Sequence, residues 1–329
     1  MKIFTAFALF LLSFSLSAQH TFSIVAIDTI TGEVGSAGAS CLDDITFPGS
    51  GGAIIISDLL PGKGAIHTQS FWLEANQNNA RLKMQEGLAP DEILLWLKQN
   101  DPEGLFGAQK RQYGIVDFDA QGHPRSAAFT GNSCFDWKGH RVGANYSIQG
   151  NILLGPEVVD SMEARFLAAE GSLSDKLMAA LQGANMVGAD TRCTDNGTSS
   201  LSAFLRVAQP GDDDNLYLLD LNVPSLPTGM EPIDSLQNLY NEWKALASTE
   251  PVPLEFQLCP NPAKSQITLN VNAADSRVEI YDTMGRPVFS SALIAGENRL
   301  SPALLPGIYW AQVTAPSRYR QSRVLVWLD

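Results

Sequence analysis

The amino-acid sequence predicts an α+β domain, in which antiparallel β-sheets carry helices on their outer faces, followed by a small all-β sandwich. One observation is that strand-like and helix-like segments come in grouped runs before residue 248: strands, helices, strands, helices, strands and a last helix. Grouped strands favour antiparallel sheets over a doubly wound parallel sheet. A second observation is that only short strands and turns follow a proline-containing linker at 248–253.

Residues 1–18 have the pattern of a secretory signal peptide. A lysine precedes an apolar stretch, and small residues close the segment at Ala18. The stretch is too short for a membrane span, and no later segment has eighteen consecutive apolar residues. We therefore expect an exported, soluble chain whose first domain covers residues 19–247. Cleavage after Ala18 would leave two residues ahead of Thr21.

Residues 21–40 predict a buried β-hairpin. Residues 22–27 form an apolar run rich in β-branched side chains, Thr31 and Gly32 are typical of a turn, and residues 33–40 form an extended run of small side chains. Glycine, alanine and serine have poor β-propensity. Close approach of backbone or of a ligand is the usual reason for glycine in a strand, so we expect a site at this hairpin.

The other elements of the first domain follow from helical and strand periodicity. Apolar residues at helical spacing predict helices at 71–85, 91–99, 156–169, 173–181 and 233–247. Ser172, with Asp175 three residues later, has the pattern of a capping box. Extended segments predict strands at 52–57, 64–70, 112–118, 125–130, 142–149, 200–208 and 216–223.

Charge is unevenly distributed along the chain. The 329 residues carry a formal charge of −13, and 45% of them are hydrophobic, enough to bury large cores. Residues 254–329 hold seven basic and six acidic side chains, so the preceding part carries about −14. Such an acidic body argues against nucleic acid and anionic membrane surfaces as partners.

Because we expect the chain to be exported, its four cysteines can form disulfides. Cys41, Cys134 and Cys193 are in the first domain and Cys259 is in the second, so either one stays unpaired in the first domain or a pair joins the domains. Their wide spacing argues against a zinc site. We expect Cys41 to pair with Cys193, and we expect no metal and no organic cofactor.

Thr21 is the candidate nucleophile. A threonine hydroxyl is weakly nucleophilic at neutral pH and needs an adjacent base. The α-amine of an N-terminal threonine, with a pKa of about 7.7 to 8.0, supplies one. The hypothesis requires proteolysis to expose Thr21. The alternative is that Thr21 only begins a strand, where β-branched residues are favoured.

A series of motifs resembles the bacterial domain of unknown function 1028 over residues 21–247. The motifs are Thr-Phe-Ser-Ile-Val-Ala-Ile-Asp at 21–28, Thr-Gly-Glu-Val-Gly at 31–35, Gly-Ile-Val-Asp at 114–117, Ala-Phe-Thr-Gly at 128–131, Cys134, Trp137, Gly139, His140, Gln-Gly-Asn-Ile-Leu at 149–153, Pro156, Val158, Asp190, Arg192 and Ser200. That family is placed with the N-terminal-nucleophile hydrolases. The resemblance implies a four-layer αββα sandwich. Intracellular members resemble Met-Thr-Phe-Ser-Ile-Val-Ala, in which loss of methionine exposes the threonine that matches Thr21. Here Gln19 and His20 must be removed instead.

Four further residues are candidate members of the same site. If the hairpin has simple antiparallel register, Ser40 lies beside Thr21 and could relay a proton or bind substrate. The alternative is that Ser40 is only a small residue that allows close packing. Asn151 offers an amide to a developing oxyanion, with capping as the alternative. Asp190 and Arg192 share a face and orient a carboxylate or the nucleophile's amine; the alternative is a surface ion pair.

Three other polar features are assigned structural roles. We interpret Asp28 as a turn carboxylate, with catalysis as the alternative. His140 is interpreted as a structural hydrogen-bonding residue rather than a base. Residues 212–214, three consecutive aspartates, are interpreted as a solvated charge run, because they lack the spaced ligands of a calcium loop.

Residues 254–329 resemble a type IX secretion C-terminal sorting domain. Strands are predicted at 267–271, 277–281, 287–291, 307–314 and 323–327. The resemblance rests on Cys-Pro-Asn-Pro at 259–262, Tyr-Asp-x-x-Gly-Arg at 281–286 and Leu-x-x-Gly-x-Tyr at 304–309. It implies passage through the periplasm, contact with the type IX secretion machinery and release from the cell or attachment to its surface. The alternative is a carbohydrate-binding sandwich.

These expectations describe a secreted or surface-attached hydrolase of an amide-type bond. Thr21 Oγ1 would attack a carbonyl, its own amine would carry the proton, and backbone N–H groups with Asn151 would hold the oxyanion. The substrate, a small molecule or a peptide, is specified by no stretch of the sequence. The competing hypothesis is a non-catalytic binding module on the same scaffold.

Overall fold

The structure is a computed structural model that describes residues 21–214, 216–248, 255–272, 274–314 and 320–328. The chain divides into two compact units between Trp243 and Lys244. The predicted signal peptide and residues 249–253 of the predicted linker lie outside the described residues. Within the described part, none of the helices combines the length and the apolar character that a membrane crossing needs.

The described part of the first unit contains ten strands and six α-helices, of which the last continues beyond Trp243. The strands are β1 (Thr21–Ile27), β2 (Val34–Ser40), β3 (Ser57–Leu60), β4 (Gly64–Gln69), β5 (Gln112–Phe118), β6 (Pro124–Thr130), β7 (Gly139–Val142), β8 (Tyr146–Gly150), β9 (Ser202–Ala208) and β10 (Leu219–Val223). The helices are α1 (Glu74–Gln85), α2 (Pro90–Gln99), α3 (Gly104–Ala108), α4 (Pro156–Ala168), α5 (Leu173–Gly183) and α6 (Pro232–Ser248). Short 3₁₀-helices occupy Gly52–Ile56 and Thr191–Asn196.

The strands of this unit form two antiparallel sheets. The large sheet has the order β10-β9-β2-β1-β8-β7, and the small sheet has the order β3-β4-β5-β6. The predicted hairpin, β1 with β2, occupies the centre of the large sheet, and Thr21 stands opposite Ser40 in its register. Helices α4 and α5 contact the large sheet, α1 and α2 contact the small sheet, and the two sheets contact each other. The prediction of an α+β domain with antiparallel sheets is therefore confirmed.

Successive side chains of β1 point in opposite directions, so they belong to two different cores. Phe22, Ile24 and Ala26 belong to the core that includes α4 and α5. Val25 and Ile27 belong to a second core, which includes residues of the small sheet. Because side chains alternate with a period of two, Thr21 and Ser23 point to the same side as Val25, into the space between the sheets.

The space between the sheets changes from apolar to polar toward the start of β1. Next to Val25 lies Ser23, whose Oγ donates to Gln69 Oε1 at 2.6 Å. Gln149 Nε2 donates to Ser23 Oγ at 2.7 Å and lies 3.2 Å from His67 Nδ1. Gly114 makes room for Gln149, since a Cβ there would lie 2.0 Å from Gln149 Oε1. A hydrogen-bonded layer thus links the sheets where an apolar core ends.

His67 is fully enclosed in this layer. Burial, with a smaller contribution from the Arg206 charge, lowers the pKa of His67 to about 3. The ring packs edge-on against Phe204, with centroids 5.8 Å apart. His67 is therefore a neutral imidazole in the folded protein at neutral pH.

The glycines of β2 allow close packing, as the sequence predicts. A Cβ on Gly35 would lie 2.6 Å from Leu177 Cδ1, and one on Gly38 would lie 2.9 Å from Phe204 Cε1. Side chains from α5 and β9 occupy the space that larger residues would need. Among the described residues, the small side chains of β2 thus serve packing by protein groups.

Two strand predictions are wrong. Residues 52–57 were expected to be extended, but Gly52–Ile56 is a 3₁₀-helix, because Gly51 and Gly52 have φ of 67° and 80° and turn the chain. Residues 142–149 were expected to form one strand. They divide between β7 and β8, because the chain turns at 143–145 and brings the two strands into an antiparallel pair.

The remaining boundaries differ by a few residues from those predicted. The helix expected at 71–85 begins at Glu74, since Ser70 and Phe71 have positive φ and cannot belong to a right-handed helix. The capping box of α5 is present, with Ser172 Oγ accepting from Asp175 N at 3.3 Å. Strand β3 and helix α3 were not predicted, because both are too short to show a periodic pattern.

A disulfide joins Cys41 to Cys193, as expected. It ties the residue after β2 to the 3₁₀-helix at Thr191–Asn196, with 5.7 Å between the Cα atoms. Cys134 is a free, buried thiol, and Cys259 is free and exposed.

The described part of the second unit is all-β. Its strands are β11 (Phe256–Cys259), β12 (Ile267–Val271), β13 (Ser276–Tyr281), β14 (Pro287–Leu293), β15 (Gly296–Leu300), β16 (Gly307–Thr314) and β17 (Arg320–Trp327). They form two antiparallel sheets, of orders β11-β12-β15 and β14-β13-β16-β17. Alternate residues from both sheets share one core, with Phe256, Ile280 and Leu325 among them. Strands β11 and β15 were not predicted.

Removing the disulfide should destabilise the first unit. The bond closes a loop of 152 residues, and its loss frees the unfolded chain, at a cost of roughly 2–4 kcal/mol. We expect the double variant Cys41→Ser/Cys193→Ser to unfold at lower urea concentration than the wild type, with tryptophan fluorescence as the signal. Cys259→Ser, which alters an exposed free thiol, is the matched control. Equal midpoints for the double variant and the control would contradict the expectation.

His67 should make the first unit less stable as the pH falls from 6.5 toward 3. The unfolded chain binds a proton on this histidine below about pH 6.5, whereas the folded chain does not until about pH 3. The stability should therefore fall by about 1.4 kcal/mol per pH unit in this window, relative to a His67→Gln variant. Urea denaturation at several pH values measures the difference. His123→Gln, which alters an exposed histidine, should keep the wild-type slope. A His67→Gln variant with an unchanged slope would show that this imidazole is not the group responsible.

Candidate functional site

Thr21 lies where the polar layer between the sheets reaches the end of β1. Its side chain is fully buried. Its Oγ1 has no hydrogen-bond partner among the described residues. A buried hydroxyl without a partner costs about 1–3 kcal/mol, so its presence needs an explanation, and a catalytic role is one such explanation.

Two donors fix the carbonyl group of Thr21. Gln69 Nε2 donates to Thr21 O at 3.0 Å, and Asn151 N donates to the same oxygen at 3.3 Å. Ser23 in turn holds Gln69, because the Ser23 hydroxyl donates to Gln69 Oε1. The peptide plane that follows the threonine Cα is thereby held from both sheets.

Gln112 organises the groups around Thr21. Its Oε1 accepts from Gln69 Nε2 at 2.8 Å and from Asn151 Nδ2 at 2.9 Å. Its Nε2 donates to Thr130 Oγ1 and to the carbonyls of Gly139 and Gly150, at 2.8 to 3.1 Å. One buried amide thus sets the orientation of two neighbouring side chains and anchors the edge of the large sheet.

Gln69 and Gln112 were not predicted as site residues from the sequence. Both occupy positions of their strands that point between the sheets, and they are partners in the β4–β5 register. The sequence contained one indication of their role, which is that each is a glutamine at an inward position of a buried strand. A buried amide needs hydrogen-bond partners, so a glutamine at such a position indicates a polar site.

Ser40 lies beside Thr21, as expected for simple antiparallel register, and Asn151 lies near the same residue. Ser40 is the register partner of Thr21, and its Oγ accepts from Leu42 N at 3.0 Å. Asn151 directly follows β8 and is buried. Both residues therefore flank Thr21, on the two strands that pair with β1.

Asp190 and Arg192 form an ion pair in which the Asp190 carboxylate is buried and the Arg192 side chain is partly exposed. The pair therefore differs from the plain surface ion pair considered as the alternative. Arg192 Nε and Nη2 donate to Asp190 Oδ1 and Oδ2 at 2.9 and 2.6 Å. Asp190 is fully buried, and its Oδ2 also accepts from Cys41 N at 3.0 Å. The pair thereby fixes the segment that follows Ser40.

The other polar residues singled out in the sequence have structural contacts. Asp28 Oδ1 accepts from Ile30 N and Thr31 N, as a turn carboxylate does. His140 Nδ1 lies 2.9 Å from Thr130 Oγ1, and burial, with the Arg141 charge, lowers its pKa. Asp212 Oδ2 accepts from two backbone N–H groups, and Asp214 pairs with Arg81. In the described residues, no three His, Cys, Asp or Glu side chains are grouped to hold a metal ion.

Strained backbone surrounds the site on two sides. Ser70 and Phe71, directly after Gln69, have φ of 58° and 53°, and Ile152, directly after Asn151, has φ of 55°. Positive φ is uncommon in residues other than glycine and costs about 1–3 kcal/mol each. Such strain persists where the surrounding structure enforces it, and it concentrates at functional sites.

Comparison with known proteins agrees with this architecture. A crystal structure of a protein of the family DUF1028, from Silicibacter pomeroyi, is 24% identical, has a TM-score of 0.53, and covers 71% of this chain and 95% of that one. At this identity the likeness shows the fold alone. PorZ, described as a surface component of the type-IX secretion system of Porphyromonas gingivalis, is 14% identical with a TM-score of 0.21, and covers 39% of this chain and 21% of that one. A likeness this weak carries no argument. No curated protein matches the chain.

Two family models match the chain. The model described as a secretion system C-terminal sorting domain matches residues 257–326. This domain interacts with the type IX secretion machinery and indicates secretion across the outer membrane, with surface attachment or release. The model described as a family of unknown function, DUF1028, matches residues 21–235, about two thirds of the chain. Because that match begins at Thr21 and spans both sheets of the first unit, the chain belongs to the DUF1028 family.

Proposed function

We propose that this protein is an exported amidohydrolase in which Thr21, once it is the first residue, is the catalytic nucleophile. The observation that carries the proposal is the buried Thr21 Oγ1, which lacks a partner among the described residues although polar groups surround its backbone. A hydroxyl whose lone pairs accept hydrogen bonds from the protein would be a poorer nucleophile, whereas a hydroxyl that donates to a base is activated. Thr21 instead keeps its lone pairs for a substrate carbonyl.

The arrangement of sheets and helices supports an N-terminal-nucleophile fold of four layers, αββα. Helices α4 and α5 contact the large sheet, and helices α1 and α2 contact the small sheet. In the proposed mechanism the nucleophile is the first residue of the processed chain, and the Thr21 side chain faces the space between the sheets. Thr21 begins β1, which lies between β2 and β8.

The proposed reaction proceeds in two acyl transfers. Thr21 Oγ1 attacks the substrate carbonyl and passes its proton to the α-amine of the same residue, which then protonates the leaving amine. Water hydrolyses the resulting ester and restores the hydroxyl. The hydrogen bonds from Gln69 and Asn151 to Thr21 O hold the threonine, so that amine and hydroxyl keep one relative orientation.

Neighbouring residues have assigned roles in this mechanism. Asn151, whose amide is oriented by Gln112, stabilises the oxyanion together with backbone N–H groups. Ser40, opposite Thr21, relays a proton or binds substrate. Asp190 and Arg192 act as positioning residues, because their pair holds the backbone that follows Ser40.

We infer an order for export, processing and catalysis from the segments at the N-terminus and the C-terminus of the chain. In our proposal residues 1–18 are a signal peptide, 19–247 form the hydrolase domain and 254–329 the sorting domain. Gln19 and His20 are removed to free the amine of Thr21. The secretion machinery recognises the C-terminal unit, and the hydrolase acts outside the cell.

Replacing Thr21 should abolish covalent labelling at the site. A β-lactone that acylates N-terminal threonine should modify the secreted wild-type protein once, at Thr21, because the mechanism needs both its hydroxyl and its amine. Thr21→Ala should give no adduct by mass spectrometry, and Thr21→Ser should retain labelling within about tenfold, since serine keeps both groups. Thr29→Ala, an exposed threonine in the same hairpin, is the control and should label normally.

The same mass spectra test the required processing. Labelled protein should begin at Thr21. Labelled, active protein that still begins at Gln19 would exclude the α-amine as base. An unlabelled, correctly processed wild-type protein would favour the non-catalytic binding module.

Deletion of residues 254–329 should leave the protein in the periplasm. The deletion removes the sorting domain and leaves the first unit intact, which has its own cores. Cell fractionation with immunoblotting, and protease accessibility on intact cells, measure the location. Surface display of the truncated chain at the wild-type level would refute the sorting role.

A further inference from the structure

We propose that the second unit binds a neutral saccharide in a cavity beside Trp310. The cavity lies on the sheet β14-β13-β16-β17, on the face that points away from the core of the unit. Because it belongs to the second unit, the inference goes beyond the function proposed for Thr21. A cavity of suitable size, an aromatic surface, a neutral polar rim and a compensated charge support it.

The cavity has a volume of about 420 Å³. Small-molecule pockets usually measure about 300–1,000 Å³, so a sugar unit of one or two rings can enter it. Residues of β13, β16 and β17 and of the turn after β13 line it, with Tyr281, Asp282, Trp310, Gln312 and Ser322 among them. Three strands and a turn therefore hold its walls in place.

Trp310 gives the cavity its aromatic surface. Its neighbours on β16, Tyr309 and Ala311, are buried in the core, so the Trp310 side chain points outward. The side chain is 48% exposed, which leaves much of the indole open to a ligand. Tyr281 is the register partner of Trp310 on β13, and its hydroxyl donates to Glu279 Oε2 at 2.7 Å. That bond holds the second ring beside the first.

Neutral polar groups lie next to the indole. Gln312 follows Trp310 by two residues on the same strand, so it points to the same side of the sheet. Gln312 Nε2 donates to Ser322 Oγ at 3.3 Å, and Ser322 is its register partner on β17. Amides and hydroxyls both donate and accept hydrogen bonds, so this pair can serve donors and acceptors of a ligand.

The charge in the cavity is compensated. Of the described residues that line it, Asp282 alone has a charged side chain. Asp282 Oδ1 accepts from Met284 N and Arg286 N at 2.9 and 3.0 Å, and Oδ2 accepts from Arg286 Nε at 2.8 Å. These bonds also fix the turn that forms one wall. The cavity therefore offers no unpaired charge to an ionic ligand.

These features indicate the class of ligand. A purely apolar ligand would cover Gln312 and Ser322 without replacing their hydrogen bonds to water, which is unfavourable. A neutral pyranose matches both parts of the cavity. Its C–H face packs against an aromatic ring, and its hydroxyl groups exchange hydrogen bonds with amides and hydroxyls at the edge of that ring.

A peptide strand fits the cavity less well. Trp310 belongs to β16, which pairs with β13 on one side and with β17 on the other. An extended peptide binds most readily at an unpaired strand edge, where its backbone adds to the sheet. The backbone of β16 is already used on both sides, so a peptide would have to bind through side chains alone.

Titration with simple sugars tests the site. The full chain, with the second unit retained, is titrated with methyl β-glucopyranoside, methyl β-galactopyranoside, methyl α-mannopyranoside and N-acetylglucosamine. Saturation-transfer NMR, which observes the ligand, measures the affinity. We expect at least one of the four to bind about tenfold more tightly than sorbitol, an open-chain polyol that has hydroxyl groups but no ring face. If none of the four shows saturable binding, the proposal is wrong.

Variants of the lining residues test the location. Trp310→Ala should weaken binding of the best sugar about tenfold, and Trp310→Phe should weaken it less, because an aromatic face remains. Gln312→Leu keeps a side chain of similar size without the amide, and it should also weaken binding about tenfold. Ile308→Ala is the matched control, because Ile308 is 55% exposed on the same strand and face, outside the cavity lining. It should bind the sugar as the wild type does.

Two comparisons separate the possible outcomes. The altered side chains point outward, so the thermal unfolding temperature should stay at the wild-type value; if Trp310→Ala lowers it, Gln312→Leu gives the decisive affinity. Wild-type sugar affinity in Gln312→Leu, or tighter binding of N-acetylphenylalanine amide than of every sugar, would overturn the saccharide site. Thr21→Ala should bind the sugar normally, so a failure of β-lactone labelling would leave this site unaffected.

Discussion

The structure around Thr21 depends on one constraint: polar groups buried between the two sheets must find hydrogen-bond partners. Gln69, Gln112 and Gln149 meet that requirement with each other, with Ser23 and with backbone carbonyls. Their bonds join one sheet to the other, so the relative position of the sheets is fixed there by directional contacts as well as by apolar packing. Within the described residues of this bonded layer, the hydroxyl of Thr21 and the Nε2 atom of His67 are left without a hydrogen-bond partner, and only Thr21 stands at the first position of β1.

Several costs to stability collect near the same point. The positive φ angles at Ser70, Phe71 and Ile152, the enclosed charges of Arg111 and Asp101, and the unpaired hydroxyl of Thr21 are each unfavourable for folding. The apolar cores on either side of the sheets offset them, and the disulfide limits the freedom of the unfolded chain. A protein selected only for stability would not retain so many such features within one region. Their convergence at the start of β1 supports the function proposed for this region.

The second unit follows simpler rules. Its strands alternate buried and exposed residues, and one core lies between its two sheets. No comparable accumulation of strain or buried polar groups occurs in its described residues, where Asp275 alone combines positive φ with a side chain other than glycine. A module that is recognised and carried by secretion machinery needs a stable surface, whereas a reacting site needs groups held in unfavourable states. The difference between the two units agrees with the catalytic role proposed for the first unit and with the sorting role of the second.

Local sequence determined the elements with strong periodicity, such as α4 and α5, together with the central hairpin and the capping box of Ser172. The pairing of Cys41 with Cys193 was expected, but it joins residues 152 positions apart and so depended on the tertiary structure. Local sequence also placed Ser40 opposite Thr21, because a hairpin register follows from a short turn. Only the tertiary structure decided that Gln69, Gln112 and Asn151 meet at Thr21, and that Phe71 approaches Phe135. Periodicity predicts which side of a strand is buried, but it does not predict which distant strand covers that side. That information arises when the two sheets pack, through contacts between residues tens of positions apart.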